Sequence, residues 1–295
     1  MKRVWPWLFG ILGLVLVGAI WELYKWLGPA DGVVLGAIAG DAGSGFRILP
    51  RTGDLNMPHL WDVAGRLAES NGPGTPPLWV SVLSAMAVTL GIAAVGLVLG
   101  LVVGFALALL MQRWRIIEWG ILPWVIVSQT VPLIAFAPII ARMGSQIDRS
   151  GFPWPDWLSV AIIASYLAFF PIAVGALRGL DSPDRIHVDL LRSYGAGYGK
   201  TLRKLRLPAS IPYLLPSLRL AASSAVVGAV VAEVSIGMPG GLGRMMIQFA
   251  QSASADPALP YGPVLGAVIV GLLAAGSVAL LGVILKNYRR GEAVA

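Results

Sequence analysis

Apolar residues in this chain come mostly in long unbroken runs, separated by short polar stretches. Six runs stand out: residues 5–27, a run inside the charge-free stretch 70–112, and then 119–141, 157–177, 212–233 and 264–285. About 20 apolar residues cross the roughly 30 Å hydrocarbon core of a bilayer as a helix. Each run meets that length, so the pattern predicts six membrane-spanning helices and an all-α integral membrane fold. Backbone polar groups in lipid need internal partners, which favours helices over irregular chain there.

The first run follows Lys2 and Arg3, as the apolar region of a signal peptide would. It is long, however, ends in the bulky W-E-L-Y-K-W, and lacks a small-residue cleavage site. It is read as a retained first transmembrane helix, residues 1–27. Residues 28–78 form a polar, Gly/Pro-rich connection, expected as an irregular loop over 28–46 and then a short amphipathic helix with Leu60, Val63, Ala64 and Leu67 on one stripe. Residues 79–295 make a five-helix core. In it Gly96, Gly100 and Gly104 recur every fourth residue, so one helix face carries no side chains and is suited to close helix packing. Ser128-Gln129-Thr130-Val131-Pro132 interrupts the third run, which Pro132 and Pro138 should kink by removing backbone donors. Gln129, Thr130 and Pro132 are candidates for the wall of a wet pathway, with packing around a kink as the alternative. Glu233, near the far end of the fifth run, is a further pathway candidate. A short helix is expected over 242–251.

Composition agrees with the pattern. Hydrophobic residues make up 57% of the 295 and charged residues 13%, with a mean hydropathy of +0.77. Soluble domains carry about 25% charged residues. The net charge of +7 reflects basic residues gathered beside the apolar runs. Lys2 and Arg3, Arg113 and Arg115, the stretch from Arg178 to Arg206, and Lys286 to Arg290 all fall on one side of a six-span arrangement. By the positive-inside tendency, that side and both termini are cytoplasmic. Membrane topology explains the charge, and nucleic acid is not an expected partner. There is no cysteine, hence no disulfide framework.

The longest polar stretch on the cytoplasmic side lies within 181–211. Its first half scans as an amphipathic helix with His187, Leu190, Leu191 and Tyr194 on one face. Gly195 and Gly197 permit a sharp turn, and a basic segment (Lys200, Arg203, Lys204, Arg206) leads to Leu207-Pro208. Asp189-Leu190-Leu191, then Gly195, then Leu205-x-Leu207-Pro208 resembles the E-A-A-x-x-x-G…I-x-L-P loop of ABC-importer permeases. D-L-L stands where that family has E-A-A. The run Pro212-Tyr213, Leu218-Arg219-Leu220-Ala221 and Val231-Ala232-Glu233 is similar in particular to the nitrate/sulfonate/taurine and thiamine-precursor branch. The likeness covers roughly residues 58–295.

The resemblance implies a type I ABC-importer permease, multi-pass in the cell (inner) membrane, and it implies partners. These are ABC ATPase subunits, a second permease subunit, an extracytoplasmic substrate-binding protein and membrane lipids. It implies that Asp189, Leu190, Leu191, Tyr194 and Gly195, with Leu207 and Pro208, form the coupling element that docks on the ATPase. The alternative is a basic loop held to anionic lipids by Lys200, Arg203, Lys204 and Arg206. The expected cargo is a small polar solute of the sulfonate, nitrate or thiamine/pyrimidine-precursor kind.

No catalytic or metal-ligating constellation is legible. His59 and His187 are assigned to opposite sides of the membrane. Gly195-Ala-Gly197-Tyr-Gly199-Lys200-Thr201 superficially matches a phosphate-binding loop, but Tyr194 stands where a glycine is needed and no strand precedes it. The chain is thus not expected to be an enzyme or to bind a cofactor, and Mg-ATP is expected on the partner ATPase. The rival readings are a secondary transporter, which would show paired interrupted helices and midplane ionisable residues, and another polytopic membrane protein such as a membrane-embedded enzyme.

Overall fold

The computed structural model describes residues 5–31, 33–35 and 46–284. The basic residues at either terminus, and most of the Gly-rich stretch before Phe46, lie outside them. The chain divides into two compact units, residues 1–82 with 246–262, and residues 83–245 with 263–295.

In the first unit, α1 (Trp5–Leu27) is an apolar helix of 23 residues whose last turns are polar. Those turns hold the following segment in place. Lys25 is buried, and its ammonium donates to Asp54 at 2.6 Å and to the carbonyl of Met57 at 2.5 Å. This hydrogen bond and the lysine's charge hold the Asp54 carboxyl below its usual pKa. Tyr24 donates to Pro50 O, Trp21 to Pro58 O, and Glu22 takes His59 at 2.8 Å and Leu60 N–H at 2.7 Å. Where an irregular loop is expected, β1 (Val33–Leu35) and β2 (Phe46–Leu49) pair antiparallel with one bulge. Their β-branched and aromatic residues favour an extended ribbon over a coil. The all-α expectation therefore misses a two-stranded ribbon. The amphipathic helix is α2 (Leu60–Ala68), with Val63 buried but Leu60 42% exposed. Arg66 ties it to Asp256 at 2.5 Å.

The second unit is built around α6 (Asp156–Leu180) and α9 (Leu207–Ile236), with α3 (Leu78–Arg113), which begins in the first unit, packed on α6. Small residues set the spacing. A Cβ placed on Gly96 would lie 2.5 Å from that of Ala164, and one on Gly100 2.8 Å from that of Ala168. On the α9 side, Gly179 abuts Ser210 and Gly228 abuts Ala164, with contacts of 2.8 and 2.9 Å to a built Cβ. Val160, Ile163, Ala164, Ala168, Ile172 and Leu180 are accordingly fully buried.

The third apolar run is bent far more sharply than the expected proline kink. It forms α4 (Arg115–Ser128) and α5 (Leu133–Arg149), which meet at 102°. Pro132 has no N–H to continue α4, and its ring disfavours a helical Val131. Ser128 and Thr130 bend their hydroxyls back to Val125 O and Val127 O, and Tyr166 donates to the carbonyl of Ser128. The first two bonds add side-chain donors to carbonyls of the last turn, and the third gives a donor to a carbonyl whose helical partner, Pro132, has no N–H. At about 1.5 Å per residue, neither arm alone crosses a bilayer.

After α6 come α7 (Arg185–Ser193), α8 (Tyr198–Thr201) and a π-helical turn (Leu202–Arg206) that runs straight into α9. α10 (Leu242–Gln251) falls on the expected residues, and α11 (Tyr261–Ile284) closes the described chain. Among the described residues, four helical runs are long and apolar enough to cross a membrane, or five if the bent pair is one span. The expected count of six goes beyond them.

Candidate functional site

The α7 turn is shaped by two local signals. Asp184 caps its start, accepting from Ile186 N–H at 3.2 Å, which satisfies one of the orphan donors of a first turn. Gly195 ends it with φ +74°, while Ala196 N–H reaches Leu191 O and Gly195 N–H reaches Arg192 O, both at 2.9 Å. That bond pair is the Schellman closure, which calls for a left-handed residue at this point. Gly197 has an ordinary φ of −70°, so the left-handed turn belongs to Gly195 alone.

Between these ends, α7 buries only Val188. Leu190 is 52% exposed and Tyr194 81%, with Leu191 half-buried beside them. Ile186, 72% exposed, extends the same ridge at i, i+4, i+8, and the sequence reading did not include it. Asp189 sits in mid-helix, exposed and 3.5 Å from Arg192. The capping role falls to Asp184. Leu207 and Pro208 are not on the ridge: they start α9, with Leu207 packed against the cluster of Ala108, Met111, Ala176, Leu177 and Leu180.

The base of the loop is tied down. Arg206 donates to Leu180 O and to Asp181, both at 3.0 Å, and Gln112 joins Asp181 to the Tyr198 hydroxyl, which donates to it at 2.8 Å. The Arg113 guanidinium lies 4.8 Å from the Tyr198 ring centre, within cation–π range. A cavity of about 630 Å³ opens beside α7, bordered by Arg115, Glu118, Arg185 and Arg192. The glycine-rich stretch from Gly195 to Thr201 follows helix α7, where a phosphate-binding loop would need a strand.

The other candidates separate into two places. Gln129, Thr130 and Pro132 come together at the α4–α5 break, with Thr130 exposed and Gln129 half-buried. Glu233 is fully buried instead, bonded to Thr89 and to Gly243 N–H, and faces no open space. Thr89, one of several hydroxyl residues in the charge-free run, is the partner that the sequence did not single out.

A family model described as "Binding-protein-dependent transport system inner membrane component" matches residues 96–289. The formylaminopyrimidine transport permease protein ThiX of Halalkalibacterium halodurans is 34% identical over 208 residues, 69% of this chain and 77% of the relative. The putative aliphatic sulfonates transport permease protein SsuC of Bacillus subtilis is 26% identical over 255 residues, covering 85% of this chain and 78% of the relative. Among solved structures, an amino acid ABC transporter crystallised with histidines aligns at a TM-score of 0.53 and 19% identity, over 72% of this chain and 94% of that one. That likeness speaks to the fold.

Proposed function

We propose a mode of action from this premise: the chain belongs to the family of binding-protein-dependent transport system inner membrane components. It is an inner-membrane permease of the ABC importers, not an enzyme. In our reading α7 is its coupling element, and ATP is hydrolysed on a separate ATPase subunit that binds Mg-ATP while this chain binds no cofactor. A second permease subunit completes the pathway, and an extracytoplasmic binding protein delivers the solute. The proposed topology adds α1 as the sixth span and places both termini and the 181–211 loop in the cytoplasm. The cargo class we propose is a small polar heteroaromatic or sulfonate solute, as the names of ThiX and SsuC suggest for those relatives.

One observation carries the coupling assignment. Ile186, Leu190 and Tyr194 form an apolar ridge that the chain's own residues leave exposed, on a helix that also bears Arg185, Asp189 and Arg192. Hydrocarbon would not take those charges. A protein groove takes both, with the aromatic and aliphatic anchors at its centre and charges at its rim. The lipid-tether alternative is weakened because Arg206, one of its four cations, is engaged with Asp181 and Leu180. The test is co-purification of the cognate ATPase with the chain carrying Leu190→Asp and Tyr194→Ala. Loss of the ATPase from a normally folded chain is the expected result. Retention at the wild-type level, with loss instead on reversing Lys200, Arg203 and Lys204, would favour the lipid tether.

A further inference from the structure

The far end of α9 carries a buried carboxyl that the coupling role leaves without a task. Glu233 is 0% exposed. The Thr89 hydroxyl of α3 lies 2.9 and 3.1 Å from its two oxygens, and the Gly243 N–H of α10 donates to it at 2.8 Å. Thr89 in turn accepts from Leu242 N–H at 3.0 Å. Three helices thus meet on one Thr–Glu pair, and two of the first-turn donors of α10, which its own helix cannot satisfy, find their acceptors there.

The seat is close-fitting. A side chain at Gly241 would strike the Glu233 carboxyl, and a Cβ at Gly243 would lie 2.5 Å from Val230 O and 2.7 Å from Glu233 Cβ. Yet the link between α9 and α10 turns at two left-handed glycines, Gly237 at φ +73° and Gly240 at φ +87°. The arrangement combines a polar clasp with a link in which two residues have unusual backbone freedom. A purely structural contact in such apolar surroundings is served at least as well by hydrocarbon side chains, since burying a carboxyl is costly. A polar clasp differs in that its groups find water as new partners once it opens.

α9 connects this clasp to the loop without a break, its 30 residues extending about 45 Å. We propose that Thr89 and Glu233 form a latch that seats the start of α10 as a gate, and that displacement of α9 during transport parts α10 from α3. Glu233 is then a positioning residue: it touches α10, not the solute. This rests on the permease reading.

The chain contains no cysteine, so Thr89→Cys with Leu242→Cys forms a unique pair across the latch. The complex, reconstituted in liposomes with its ATPase and binding protein, is assayed for uptake after oxidation and again after reduction. The latch predicts that oxidation lowers ATP-driven uptake by about tenfold or more, within the range of allosteric couplings, and that reductant returns it to the level of the same double variant never oxidised. Equal uptake by the oxidised and reduced forms overturns it, because α10 then never leaves α3. Failure of a folded complex to cross-link counts against the juxtaposition itself. A second variant guards against misfolding of the pair. Glu233→Gln keeps the volume but weakens the acceptor for Gly243, and should raise ATP hydrolysis relative to solute moved. An unchanged ratio in a stable complex also overturns the latch. Loss of ATPase binding by the unmodified chain would instead strike at the permease reading.

Discussion

α6 and α7 are neighbours in sequence and both carry apolar residues at helical spacing, but their surroundings are opposite. On α6, Val160, Ile163, Ala164, Ala168 and Ile172 are fully buried by the chain itself. On α7, Ile186, Leu190 and Tyr194 are left more than half exposed by the described residues. Their glycines differ in the same way. Gly96 and Gly100 of α3 and Gly228 of α9 leave no room for a Cβ against α6, whereas Gly195 has open space around it and is required for its φ. Glycine serves close approach in the first region and backbone direction in the second. Apolar surface makes the fold in the first and is left exposed in the second.

The contrast is broken most forcefully at Gly100. Gly100→Leu drives a branched side chain into Ala168 Cβ and the carbonyl of Ser165, which lies 3.0 Å from a built Cβ. Backbone cannot yield as a flexible side chain would, so the cost should exceed about 3 kcal/mol. The expected outcome is loss of the folded chain from membranes, read by its yield and by thermal unfolding in detergent. Normal folding would mean that the α3–α6 contact is far looser than its geometry indicates.

Gly195→Val should separate folding from assembly. Nothing would clash with the new side chain, but a β-branched residue at φ +74° costs on the order of 1–3 kcal/mol and re-aims the loop. The chain should insert and melt near the wild-type temperature while binding its ATPase poorly and failing to transport. Gly195→Asn, which tolerates left-handed backbone, should retain most of both. Equal ATPase binding by the valine variant would remove the coupling assignment from α7.

A smaller effect is expected at the α4–α5 break. If Gln129 and Thr130 border the solute path, Gln129→Leu lowers uptake severalfold and leaves ATPase assembly intact. Undiminished uptake would assign both residues to packing around the bend.

Periodicity made much of this legible. The long apolar runs located α1, α3, α6, α9 and α11, the four-residue glycine spacing pointed to the close-packed face of α3, and Gly195 followed by Leu207-Pro208 marked the loop. What periodicity could not supply were interactions between residues distant in sequence. Thr89 and Glu233 are 144 residues apart, and a threonine in an apolar run carries no sign of its partner. The 102° turn at Pro132 was underestimated because a proline signals an opened helix, while the back-bonded Ser128 and Thr130 and the Tyr166 hydroxyl help set how far it opens. The β1–β2 ribbon was hidden by the glycines between its strands. Asp184 was legible in principle, since an aspartate after Ser182-Pro183 and before an amphipathic stretch is a helix-start signal. Asp189, the acid aligned with the family motif, lies in mid-helix and does not cap α7.

That pair of aspartates supplies the finest test of the comparison. Asp184 accepts the Ile186 N–H and starts α7, so Asp184→Ala should weaken the helix by about 1 kcal/mol, as lost caps do. Asp189 makes only an exposed pair with Arg192, both side chains being more than two-thirds exposed. Such a pair contributes about 0.5 kcal/mol or less, and a charge at the rim of an interface adds little more. Asp189→Ala should therefore leave ATPase affinity within about threefold of wild type. Asp184→Ala should weaken it further, and a helix-stabilising change elsewhere on α7, such as Ser193→Ala on its exposed face, should recover part of that loss. Affinities measured for the three variants by titration of the purified ATPase decide the matter. A larger loss at Asp189 than at Asp184 would mean that the acid itself enters the groove, and that α7 is recognised by its charge more than by its ridge.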